Sequence, residues 1–119
     1  DALAGSLLMV DIEKILEVGG YDEKVFLYQE EAILGFKLKQ RGYKTIILTK
    51  YSYLHAHSQS INKSFDKTLA RQRLRESVLY YFKRYLKVGD LKIAFAKLVF
   101  FIIRLEISLF DILSKVCKL

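Results

Sequence analysis

Two adjacent carboxylates, Glu30 and Glu31, are the residues whose type and spacing best suit acid–base chemistry. When two carboxylates lie together, repulsion raises the pKa of one of them, and a pKa nearer neutrality suits a general base. The pair follows a loop that contains Tyr28, and it is predicted to begin a helix. Because the helix dipole also favours acids at a helix start, a purely structural role stays open.

A second candidate is the pair of histidines His55 and His57, separated by one residue. Alternate side chains of an extended segment point the same way, so both imidazoles can face one metal site. Two histidines alone do not define such a site, and polar loop histidines are the alternative interpretation.

The elements that would position these residues alternate between strand and helix patterns. Asp11 can cap a short helix that the paired glycines Gly19 and Gly20 end, and Gly42 can end a second helix. Apolar and β-branched runs on either side of these helices predict strands. Residues 43–49 are predicted as a strand, and residues 2–10 as a buried strand or as a loop that enters one. The predicted helices are residues 11–18 and 30–41.

The second half of the chain has a helical pattern. Apolar residues recur at helical spacing from about residue 65, and Gly89 with Asp90 separates this helix from a long apolar one over residues 91–116. Charged residues such as Lys97 and Arg104 interrupt the apolar run, which disfavours a simple transmembrane helix. The last helix is therefore expected either to lie in a membrane interface or to pack against protein, and both alternatives stay open.

Charge is unevenly distributed in this 119-residue, proline-free chain of net charge +7. Residues 1–60 carry seven Lys/Arg and eight Asp/Glu, whereas residues 61–119 carry thirteen and five. A basic half is typical of proteins that bind nucleic acid, an anionic membrane surface or an acidic partner. No nucleic-acid motif accompanies it, so we expect no nucleic-acid partner. The single cysteine, Cys117, indicates a reducing compartment, and we expect a cytoplasmic protein.

Several short motifs, taken in order over residues 2–60, resemble the C-terminal part of bacterial family 2 glycosyltransferases. The rhamnosyltransferase-like branch is the nearest. A basic, tyrosine-rich segment at residues 71–87 resembles the helix that often follows in such enzymes. The motifs that carry the resemblance are Gly5-Ser6-Leu7-Leu8-Met9-Val10, Val18-Gly19-Gly20-Tyr21-Asp22-Glu23, Phe26-Leu27-Tyr28-Gln29-Glu30-Glu31, Leu38-Lys39-Gln40-Arg41-Gly42-Tyr43-Lys44 and His55.

The resemblance implies an α/β nucleotide-sugar fold of the GT-A type and sugar transfer with inversion. Residues 1–60 would be the C-terminal part of the catalytic domain, and residues 61–119 a basic amphipathic helical extension. A carboxylate acts as general base on the acceptor hydroxyl in this family. Glu31 matches that base, which is usually an aspartate, and Glu30 matches the preceding glutamate. Ile33 stands where a second acid often lies.

The resemblance also implies a metal and an acceptor site. His55 matches a histidine that helps to hold Mg²⁺ or Mn²⁺, which would neutralise the diphosphate leaving group. We expect Tyr28 and Asp22 to contact a saccharide or lipid-linked acceptor. The main metal ligands of the family come from an Asp-x-Asp motif that this sequence lacks. The chain is therefore expected to be a piece of an enzyme of surface polysaccharide synthesis, inactive alone and peripheral at the cytoplasmic membrane.

A different class of function remains as the alternative. The helices after residue 60 would then form a non-catalytic module for homo-oligomerisation or membrane docking. The glutamate at position 31, where the family has aspartate, and the apolar Ile33 both favour this alternative.

Overall fold

A computed structural model describes residues 7–25, 27–54 and 66–116. These ranges contain four helices, joined by turns and irregular segments. The helices are α1 (Ile12–Glu17), α2 (Glu30–Gln40), α3 (Lys67–Arg84) and α4 (Asp90–Val116). All four correspond to helices predicted from the sequence, with small differences at their ends.

Helix α1 forms for the local reason that the sequence indicates. The carboxylate of Asp11 accepts hydrogen bonds from the backbone N–H groups of Glu13 and Lys14, which would otherwise have no partner. Gly19 and Gly20 then adopt left-handed conformations, with φ of 77° and 65°. A side chain would be strained at these angles, so the two glycines allow the chain to turn back after α1.

The buried part of the first half is built on α2. Ile33 and Leu34 have 0% and 2% of their surface exposed, and Ile15 of α1 and Val25 of the connecting loop are also buried. Tyr43, which follows α2 in the chain, reinforces the packing of α1 near α2 through two side-chain contacts. Its hydroxyl donates a hydrogen bond to Glu17, and its ring lies 5.4 Å from the Lys14 ammonium.

The α/β fold expected from the resemblance is wrong, because the described residues contain no strand. Residues 43–49, predicted as a strand, contain no strand, and residues 8–10, predicted as a strand or a loop, are irregular. β-branched and aromatic side chains favour a strand because they pack well on a pleated, half-buried surface. Without a neighbouring strand this preference does not produce a sheet. Here Ile46 and Ile47 are about 70% exposed instead of packing against a sheet.

The chain divides into two compact units, Asp1–Tyr81 and Phe82–Leu119. The first unit includes most of α3, which Asp66 caps through a hydrogen bond from the Thr68 N–H group to its carboxylate. The domain boundary predicted at residue 60 stays a prediction. The described part of α3 nevertheless contacts the loop before α2, through Ser77 and Tyr80.

The second unit begins with the end of α3. Lys87 adopts a left-handed conformation, with φ of 54°, and the Val88 N–H group donates to the Phe82 carbonyl, which ends the helix. Asp90 opens α4 and accepts a hydrogen bond from the Lys83 ammonium, which lowers the pKa of the Asp90 carboxyl. Within the described ranges, no helix is both long enough and apolar enough to cross a membrane.

Candidate functional site

Glu30 and Glu31 form the first turn of α2, as the sequence predicts. The two residues before them, Tyr28 and Gln29, are in the left-handed region with φ of 67° and 69°. This conformation costs a non-glycine residue about 1–2 kcal/mol, so the surrounding structure must hold it. Such strain is concentrated at functional sites. Gln29 occupies the helix N-cap, but its side chain makes no capping hydrogen bond.

Glu30 has an unusual electrostatic environment. Desolvation raises the pKa of its carboxyl above the usual value, the negative charge of Glu31 raises it further, and a hydrogen bond to the backbone of Glu30 itself opposes both effects. The side chain is half-buried, and among the described residues its Oε2 atom has no hydrogen-bond partner. A partly desolvated carboxyl with one unpaired oxygen holds its proton more tightly than an exposed carboxyl.

Asp22, a predicted acceptor contact, has both carboxylate oxygens engaged within the protein. Its Oδ1 atom accepts from the Lys24 N–H group at 3.0 Å, which forms a local turn. Its Oδ2 atom accepts from the Tyr80 hydroxyl of α3 at 2.8 Å. These bonds show a structural role for Asp22, as a tether between the loop and α3.

Three residues of α3 support the loop and α2, and the sequence did not single them out as site residues. The Ser77 hydroxyl, buried at 7% exposure, donates to the Leu27 carbonyl at 2.8 Å. Tyr80 binds Asp22, and the Tyr81 ring meets the Phe36 ring edge-to-face with centroids 6.4 Å apart. The helical spacing of 77, 80 and 81 places them on one face. This spacing can be seen in the sequence, but it does not indicate which residues the three side chains contact.

A lysine of α2 holds the glycine turn. The Lys37 ammonium donates to the Gly20 carbonyl at 2.9 Å, and this contact is partly buried. The loop between α1 and α2 is thus held at Gly20, Asp22 and Leu27 before it reaches the strained turn. We conclude that the conformation of Tyr28 and Gln29 is maintained by contacts with α2 and α3.

Of the remaining predicted site residues, the structure describes Tyr28 and Glu31. Tyr28 is half-buried in the strained turn, and Glu31 is half-buried beside Glu30. His55 and His57 lie outside the described residues, so the predicted metal contact has no geometry to compare. In the ranges that are described, no group of three or more His, Cys, Asp or Glu residues is placed to hold a metal ion.

Comparison with known proteins gives one partial similarity. The chain is 38% identical over 58 residues to the N-acetylglucosaminyl-diphospho-decaprenol L-rhamnosyltransferase of Mycobacterium tuberculosis, in strains CDC 1551 / Oshkosh and ATCC 25618 / H37Rv. The match covers 47% of this chain and only 19% of each relative. No protein-family model matches the chain, and no solved structure matches it. Over a short stretch, therefore, the chain is similar to a glycosyltransferase.

Proposed function

We propose that this chain is part of an inverting glycosyltransferase of bacterial surface polysaccharide synthesis. It would transfer a sugar from a nucleotide-sugar donor to a hydroxyl group of a lipid-linked saccharide. The observation that carries the proposal is the 38% identity to two rhamnosyltransferases over 58 residues. Because the match covers 19% of each relative, the donor-binding part would lie outside this chain.

Glu31 is the general base in this proposal. It would accept the proton of the acceptor hydroxyl while that oxygen attacks the anomeric carbon and the nucleotide diphosphate leaves. The strained turn at Tyr28 and Gln29 supports the assignment, because it fixes the start of α2 and so the backbone positions of Glu30 and Glu31. Glu30, with its raised pKa, would tune the charge beside the base.

Metal participation stays a prediction. His55 would contribute to binding Mg²⁺ or Mn²⁺, but the described residues supply no cluster that fits a divalent cation. The proposed proton transfer involves Glu31 and the acceptor alone. Tyr28 remains the predicted acceptor contact, whereas the carboxylate of Asp22 is already bonded to Lys24 and Tyr80. A cytoplasmic, membrane-peripheral location is likewise part of the proposal.

The test uses the natural enzyme that contains this chain and compares three variants. Glu31→Gln removes the basic carboxylate at nearly constant size, and we expect kcat to fall by about 10²–10⁴-fold. Glu30→Gln should shift the acidic limb of the kcat/KM pH profile while retaining substantial activity. Glu23→Gln, at an exposed acid of the same loop, is the matched control and should change neither quantity. Transfer by Glu31→Gln at near wild-type rate would show that Glu31 is not the base.

A further inference from the structure

The long helix α4 carries an exposed apolar surface that the proposed sugar transfer does not use. It has 27 residues, which corresponds to a length of about 40 Å. Six large apolar side chains, each between 47% and 67% exposed, recur along one line of this helix, and we name them the α4 seam. The α4 seam consists of Phe95, Leu98, Ile102, Leu105, Leu109 and Ile112.

The spacing of the α4 seam identifies the kind of surface that would cover it. Its residues follow steps of three and four in strict alternation, and Leu91 continues the same alternation towards the start of the helix. This repeat of 3.5 residues is the pattern of a helix that pairs with another helix, knobs into holes. A membrane interface requires a broad apolar face, but it does not require this period.

We propose that the α4 seam is a self-association surface, and that its occupant is the α4 seam of a second copy of this chain. A different partner helix would be selected by charges at the positions flanking the seam. Of the eight flanking positions from Lys92 to Lys115, three are charged (Lys92, Glu106 and Lys115), and the five others are uncharged. Pairing of two identical apolar seams needs no charge complementarity, so the surface is self-complementary.

The exposed area is of the size that protein interfaces use. The α4 seam and the flanking Phe101 and Leu113, which are 56% and 60% exposed, offer apolar side-chain area on each copy. Complete burial of these exposed fractions would remove on the order of 800 Å² per copy, about what one partner contributes to a standard protein interface. Ile93, on the other side of α4, is already buried at 6% exposure and would not take part. The proposal does not depend on the proposed enzymatic function.

The experiment is sedimentation equilibrium of the natural protein that contains this chain, with two variants at neighbouring positions. Ile102→Arg places a charge in the α4 seam, and Ile103→Arg places the same charge one residue away, outside it. The two isoleucines are similarly exposed, at 47% and 42%, so the control is matched in residue type, exposure and sequence context. Circular dichroism establishes that both variants keep their helical content.

We expect the wild-type protein and Ile103→Arg to sediment at twice their monomer mass, and Ile102→Arg to dissociate at least tenfold more readily. If Ile102→Arg loses helix, Leu98→Arg provides the second seam variant. A monomeric wild-type protein at about 100 μM would overturn the proposal, as would equal weakening by both isoleucine variants. Monomers that float with phosphatidylglycerol vesicles would instead assign the surface to a membrane.

Discussion

The hydrogen bond between Ser77 and Leu27 gives a direct test of how the turn before Glu30 is maintained. Replacement of Ser77 by alanine removes the only hydroxyl that α3 donates to the Leu27 carbonyl in the described structure. A neutral hydrogen bond of this kind contributes about 1 kcal/mol, and an unsatisfied buried carbonyl costs about 1–3 kcal/mol. Because Leu27 is only half-buried, water can reach its carbonyl in part, which favours the lower end of this range.

Helix propensity acts in the opposite direction in this variant. Alanine is a better helix former than serine by about 0.5 kcal/mol, so we expect Ser77→Ala to lower the free energy of unfolding by about 1 kcal/mol overall. Thr68→Ala, which removes an exposed hydroxyl from the same helix, is the matched control. That substitution gains helix propensity without losing a buried contact, and it should leave stability unchanged or slightly raised.

Two measurements check this expectation. Urea unfolding of the protein, followed through its tyrosines, gives the difference in free energy if the slope with urea is the same in both variants. Hydrogen exchange reports on the turn itself, because the Ile33 amide bonds to the Gln29 carbonyl at 2.9 Å. We expect this amide to exchange about fivefold faster in Ser77→Ala, as 1 kcal/mol implies. Equal stability and equal Ile33 exchange in Ser77→Ala and Thr68→Ala would refute the view that α3 holds the turn.

Two further predictions concern the start of α2. The folded state binds the Glu30 proton more tightly than the unfolded chain, so Glu30 should lower stability as pH rises from its usual pKa of 4.5 through the folded value. When the free energy of unfolding is measured with urea from pH 4 to 8, Glu30→Gln should therefore reduce its decline with pH, whereas Glu23→Gln should not. An unchanged decline in Glu30→Gln would contradict the raised pKa. Gln29→Gly should raise the free energy of unfolding by about 0.5 kcal/mol, since relief of left-handed strain exceeds the entropic cost of glycine. Gln72→Gly, inside α3, should instead lower it by about 1 kcal/mol, and a loss of stability in both glycine variants would exclude strain at Gln29.

The sequence predicted those parts of the fold that depend on neighbours along the chain. Asp11 caps α1, Gly42 follows α2 with φ of 80°, and Glu30 begins α2. Each of these features needs only a side chain and the backbone within a few residues, which is why composition and spacing reveal it.

The features that the sequence did not predict depend on distant partners. Residues 43–49 have strand-forming side chains but no strand beside them, so their propensity produces no sheet. Ser77 and Tyr80 belong to a helix that the sequence predicts, yet nothing in the sequence pairs them with Leu27 and Asp22. For the site, the adjacent carboxylates could be identified from the sequence. The strain at Gln29 could not, because it depends on packing between residues that are distant in the sequence.

The contacts between α3 and the loop have a consequence for the order in which the protein folds. Ser77 and Tyr80 bond to residues 50 and 58 positions earlier in the chain. Closing segments of that length carries an entropic cost that must be met before the contacts form. The helices α1 and α2, with six and eleven residues, are too short to be stable in isolation and depend on packing for their stability. During synthesis, the turn that carries Glu30 and Glu31 can reach its final conformation only after residue 80 has also emerged from the ribosome.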